Sequence, residues 1–275
     1  MRKIIVTIFA LAIAFAPIVE ARTTRLYNIP TNGLVAYYSL NEGTGTGIKA
    51  IGDYSGNNNF GTTSGMTSAN WVRGYNGAGI TCGASQYITF GRANTGATTY
   101  TLSIWFYRTG TGSTASTGSG GVTAEPLIAK LVGESDGSNL DGNYFMGLQQ
   151  SPLRLVGDFE RTGNGLNAPI IGSTTLSNNV WNHVAYVFDG SNSRLYVNGQ
   201  ADGNPIATTS VPRSDSIQHL GICAGLNSSG TSSGSFVGQV DEARIYNRAL
   251  SATEISALYQ QRSAFVESGR TFIIR

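Results

Sequence analysis

The chain has 275 residues, of which 18 are Lys or Arg, 16 are Asp or Glu, and only 12% are charged in all, while 36 are glycine and 13 tyrosine. So little charge beside so much Gly and Tyr excludes long solvated helices and favours turn-rich β structure. A formal charge of +2, with no basic run past the first residues, excludes the phosphate-neutralising surface that nucleic acid binding needs.

Met1-Arg2-Lys3 followed by an apolar run from Ile4 to Ile18 and by Val19-Glu20-Ala21 has the pattern of a secretory signal peptide cut after Ala21. The apolar run is short for a bilayer core of about 30 Å, so a cleaved leader is expected over the alternative of a retained anchor helix, and the mature chain is expected to be secreted or held at the cell surface, with no membrane span. Residues 22–32 are a polar lead-in. Strands are predicted over Gly33–Leu40, Gln86–Phe90, Tyr100–Arg108, Pro126–Leu131, Tyr144–Gln149, Leu153–Glu160, His183–Asp189, Arg194–Val197 and Phe236–Tyr246, separated by turn residues at the short intervals of a sandwich or barrel. Asn198-Gly199 marks a tight turn. Thr109–Gly121, nearly devoid of apolar side chains, is expected to be a mobile loop. Ser251 with Glu254 three residues on forms a capping box that opens one short helix to about Tyr259. The domain is thus expected to run over 33–259, with a tail at 260–275.

Several residues are candidates for chemistry. Asp158 and Glu160 alternate in a predicted strand and would project from one face about 7 Å apart, within the range of paired-carboxylate glycoside hydrolysis. Asp53-Tyr54-Ser55-Gly56-Asn57-Asn58-Asn59 and Asp136–Asn143 are oxygen-rich loops, the second without the spacing of an EF-hand. His183 and His219 are the only histidines; His183 lies in a predicted strand, where packing or hydrogen bonding is the expected role, and sequence order alone leaves a Ser-His-Asp arrangement open. Trp71, Trp105 and Trp181, with Tyr144 and Phe159, are either sugar-stacking platforms or core residues. Cys82 and Cys223 are the only cysteines, and export permits either a disulfide between them or two buried thiols. Asn227-Ser228-Ser229 matches an N-glycosylation acceptor.

Three segments together resemble the laminin-G-like jelly-roll family of the concanavalin A-like lectin and glucanase group. They are Gly33-Leu34-Val35-Ala36-Tyr37-Tyr38-Ser39-Leu40-Asn41-Glu42-Gly43 with the Asp53 loop; Trp181–Gly190 with Arg194–Gly199; and Phe236–Ser251. The resemblance implies an all-β, antiparallel two-sheet jelly-roll sandwich with one short C-terminal helix. It also implies that Asp241 helps to hold a structural Ca²⁺, to which Asp53 or Glu42 could add oxygen ligands; the alternative is an Asp241 carboxylate bonded to loop amides or to an Arg such as Arg244. Glucanases of this fold carry three acids at alternate positions, whereas Val156 and Thr162 flank Asp158 and Glu160 here. The expected function is a secreted, non-catalytic module that binds a glycan or an extracellular or surface protein. The alternatives are a polysaccharide-cleaving hydrolase or lyase and a structural component of an extracellular layer.

Overall fold

The computed structural model describes residues 29–136 and 142–261, and the backbone of 264–267 and 270–273. The expected leader at 1–21, most of the lead-in and the middle of the 136–143 loop lie outside the described residues.

Two antiparallel sheets stack face to face. The first has nine strands. Across it run β14 (Gln200–Ala201), β13 (Asn192–Val197), β12 (Trp181–Phe188), β6 (Tyr100–Arg108), β19 (Gly238–Tyr246), β4 (Ala78–Cys82) and β3 (Trp71–Arg73), with β1 (Leu34–Tyr38) also on β19 and β15 (Ile206–Ala207) on β13. The second sheet has eight strands. It runs β11 (Ile170–Ile171), β10 (Leu153–Asp158), β9 (Phe145–Gln150), β8 (Thr123–Ala129), β16 (Gly221–Ile222), β5 (Tyr87–Thr89) and β2 (Thr62–Ser64), with β7 (Ala115–Ser116) on β8. Two hairpins stand apart, β17 (Gly225–Leu226) with β18 (Ser232–Ser233) and, in the tail, β20 (Ala264–Glu267) with β21 (Arg270–Ile273).

Strand alternation builds the core. Leu102, Ile104 and Phe106 of β6 and Val184, Tyr186 and Phe188 of β12 point inward to meet Met146 and Leu148 of β9 and Leu153 and Leu155 of β10. Each such side chain, once buried, contributes about 1.5–3 kcal/mol. Gly157 is needed where β10 passes Tyr186, because a Cβ there would stand 2.7 Å from the tyrosine ring. Asn198 and Gly199, at φ 50° and 78°, make the expected tight turn.

The alternate residues of the first sheet form its outer face, and α1 (Ala252–Gln260) covers part of it. Ile255 and Leu258 pack there against Ala185, Val187, Tyr196 and Tyr246. The predicted capping box is present, with Ser251 Oγ accepting from the Glu254 amide and Glu254 accepting from the Ser251 amide. Among the described residues no helix is long and apolar enough to cross a membrane.

Cys82, at the end of β4, and Cys223, just past β16, form a disulfide that joins the two sheets across 141 residues of sequence. Of the two alternatives open in the sequence, the bridge is the one found.

The expectation of a mobile loop at Thr109–Gly121 is corrected. This segment carries β7, which pairs with β8, and its Ala115 and Thr117 are buried. Ala115 joins Ala124, Ala129, Leu131, Phe145 and Val156 in a cluster on the outer face of the second sheet. Polar ties supplement that small apolar contact: Ser113 bonds Ser235, Gly112 donates to Glu125, and Thr117 donates to Asp158.

Candidate functional site

Asp158 and Glu160 do not share an open face. β10 ends at Asp158, Phe159 turns into the core, and Glu160 enters an isolated bridge with Asn167. Asp158 is fully buried beneath the β7 segment. Its Oδ2 accepts from Thr117 Oγ1 at 2.6 Å, and its Oδ1 accepts from the Phe159 and Ala168 amides at 2.8 and 2.9 Å. Burial pushes its carboxyl up to about 7, against the pull of these donors. Glu160, 3% exposed, accepts from the Gly142 amide at 2.7 Å. Two covered carboxyls held by local donors organise loops; neither presents an oxygen to a groove where a glycosidic bond could lie between them.

His183 and Ser103 meet at 2.8 Å through Nε2 and Oγ, but both are buried and no carboxylate partners Nδ1, which has no hydrogen bond among the described residues. Burial, with Arg244 nearby, pushes the imidazole down to about 3, so it is neutral. This pair is not a catalytic triad.

The candidate calcium ligands lie in separate networks. Asp53 is the hub of its own loop, accepting from the amides of Tyr37, Ser55 and Asn59. Glu42 accepts from the Gly52 amide through Oε1, while its buried Oε2 has no hydrogen bond among the described residues. Asp241 sits where β19 bulges against β6 and Glu242 takes a φ of 53°. Its Oδ2 accepts from the Asn76 amide and its Oδ1 from the Glu242 amide, both at 2.8 Å, and the Tyr75 amide also donates to it. Burial and the adjacent Glu242 push Asp241 up to about 8. Glu242 in turn binds Arg244 at 2.5 Å, Tyr37 Oη at 2.9 Å and Asn76 Nδ2 at 2.9 Å. Among the described residues no three His, Cys, Asp or Glu side chains converge as a metal cage would require. Among the described residues Asp53, Glu42 and Asp241 are thus not brought together as carboxylate ligands of one ion.

Asp241 and Glu242, by contrast, hold the turn between β3 and β4 through Tyr75 and Asn76, and that turn presents the Tyr75 ring. This ring stacks on Trp105, with centroids 3.4 Å apart and planes 12° apart, and Tyr259 of α1 lies nearly parallel to Trp105 at 5.5 Å. Trp105 is thereby closed, at 3% exposure. Tyr144 and Phe159 are fully buried, and Trp71 packs on the edge of the core with its indole N–H donated to the Gly45 carbonyl. Trp181 differs. Strand register sets it directly opposite Tyr107, sets Tyr107 opposite Gln239, and sets Gln239 opposite Thr81. These four residues form one row across β12, β6, β19 and β4 on the outer face, beyond the reach of α1, and each is half-exposed. Tyr75 borders the row, with its ring 6.0 Å edge-on from Trp181, while Tyr107 stands 5.7 Å from Trp181.

Such a row offers aromatic faces at one end and an amide and a hydroxyl at the other, the mixture that ligand sites use for contact area and orientation. Of its residues only Trp181 was a sequence candidate. Tyr107 was legible as the same-face neighbour of Trp105 in a predicted strand; Gln239 and Thr81 needed the register, and Tyr75 the turn that folds it onto Trp105.

A sequence model of the family described as the concanavalin A-like lectin/glucanases superfamily matches residues 82–256. The chain belongs to this superfamily. No curated protein matches the chain in sequence. Solved structures similar to this superfamily member include domain 4 of an extracellular arabinanase from Geobacillus stearothermophilus, in complex with arabinotriose. It is 18% identical with a TM-score of 0.53, over 82% of this chain and 98% of that domain. The binding domain of Paraclostridial mosquitocidal protein 1 is 17% identical with a TM-score of 0.53, over 83% of this chain and 52% of that one. A structure of botulinum neurotoxin type C, described by its interaction with two ganglioside molecules, is 14% identical with a TM-score of 0.54, over 84% of this chain and 51% of that one. The chain thus spans about half of the two toxin chains. At these identities the likeness establishes the jelly-roll sandwich and no ligand.

Proposed function

We propose that this protein is a non-catalytic binding module that recognises carbohydrate through the outer-face row of Trp181, Tyr107, Gln239 and Thr81. The observation that carries the reading is the row itself, an accessible aromatic pair continued by hydrogen-bonding side chains on one rigid sheet. Aromatic rings suit the apolar face of a sugar, while the amide and hydroxyl suit its rim. Carbohydrate is the first ligand class to test because a fold-similar arabinanase domain is in complex with arabinotriose. The disulfide is in keeping with export, where glycan-bearing surfaces are met.

A glycan array probed with the labelled protein tests the reading. Binding to at least one glycan is expected, and Trp181→Ala and Tyr107→Ala should each weaken it about tenfold or more, a loss of about 1.4 kcal/mol. Both variants should melt close to the parent, since these positions are half-exposed. A blank array, or binding that survives both substitutions, would refute the assignment of the site.

A further inference from the structure

We infer that the row takes an internal stretch of a neutral, linear glycan, about three sugar rings long, rather than a charged sugar or a chain end; this rests on the row being the carbohydrate site proposed above. Four adjacent strands contribute one side chain each, and at 4.7–4.9 Å between strands the row spans about 14 Å. That length matches about three rings laid end to end across the strands. The side chains stand level on one sheet face, all half-exposed, so both ends of a bound segment have a way out.

Chemistry changes along the row. Trp181 and Tyr107 offer flat apolar area at one end, where a ring face would stack. Gln239 follows, and its amide makes no hydrogen bond among the described residues, leaving two donors and an acceptor for ligand hydroxyls. Thr81 donates to the Gly238 carbonyl at 3.3 Å and keeps its lone pairs to accept from a ligand. No Lys, Arg, Asp or Glu belongs to the row. The carboxylate next along β19, Asp241, is fully buried with both oxygens engaged by amides. A charged sugar would find no counter-charge there, whereas a neutral one leaves no charge unpaired.

Ladders of one to six units of linear arabino-, xylo- and cello-oligosaccharides, measured by calorimetry with the full-length protein, test this. In at least one ladder, affinity should rise at least tenfold from one unit to three and then level off. Borohydride reduction of the terminal sugar of the hexamer should leave its affinity unchanged, as should 0.5 M NaCl. Gln239→Ala should weaken the trimer several-fold, with an unchanged melting temperature. Full affinity for a single sugar, loss on end reduction, or salt-sensitive preference for acidic oligosaccharides would overturn the inference. If none of the ladders binds while the array shows a branched or charged ligand lost in Trp181→Ala, this inference fails and the carbohydrate site stands. If the array is blank, both fail.

Discussion

Asp158 and Asp241 hold their protons more tightly in the folded chain than an exposed aspartate would, with folded values of about 7 and about 8. Their stabilising effect is therefore fully present below the unfolded value near 4 and is lost as pH rises through 7 and 8. In chelator, the melting temperature should fall by roughly 5 °C or more between pH 5 and pH 9. Asp158→Asn should remove its share of that slope; an unchanged slope would show that the buried carboxyl does not titrate in this range. Calcium at millimolar concentration and pH 8.5 should leave the melting temperature where it is, because amides already occupy both Asp241 oxygens. A rise that Asp241→Asn abolishes would instead assign an ion to this residue. The alternation of Asp158 and Glu160 was legible in sequence, but their covering was not. It depends on a contact from Thr117, which lies 41 residues earlier, and on Phe159 turning inward where the strand ends.

Elements with strong periodicity or capping chemistry were legible. β6 spans Tyr100–Arg108 as predicted, because its inward Leu102, Ile104 and Phe106 alternate without interruption. The helix begins where Ser251 and Glu254 cap it. Ser251→Ala should cost about 1 kcal/mol and lower the melting temperature by about 2–4 °C, read by calorimetry. A larger fall would mean that the cap also anchors the Arg248–Glu254 ion pair, which closes at 2.5 Å beside it. β3 and β4 were not predicted, because Gly74, Gly77 and Gly79 dilute the strand pattern around them. Gly74 has a spatial reason: a Cβ there would stand 2.3 Å from the Ala78 carbonyl oxygen and 2.7 Å from Asp241 Oδ2. The β7 segment was misread because its compensation comes from hydrogen bonds to Asp158, Glu125 and Ser235, which composition does not display.

At the scale of the whole molecule, the Cys82–Cys223 bridge shortens the unfolded chain by a loop of 141 residues while tying sheet to sheet. Its removal by Cys82→Ala with Cys223→Ala should cost about 2–5 kcal/mol, seen as a lowered urea midpoint with the fold retained in far-ultraviolet dichroism. An unchanged midpoint would mean that the core alone sets stability. The bridge was open in sequence because two cysteines permit it but cannot show that their strands approach.

The three tryptophans divide in a way that has a practical consequence. Trp105 is sandwiched between Tyr75 and Tyr259, and Trp71 is fastened to Gly45, so the surroundings of both are set by the fold. Trp181 alone belongs to the half-exposed row. Under the carbohydrate reading proposed above, a sugar laid over it would displace water from its ring and move its emission to shorter wavelength, against the background of the enclosed Trp105. The protein thus carries an intrinsic optical reporter at the position where occupancy is to be measured.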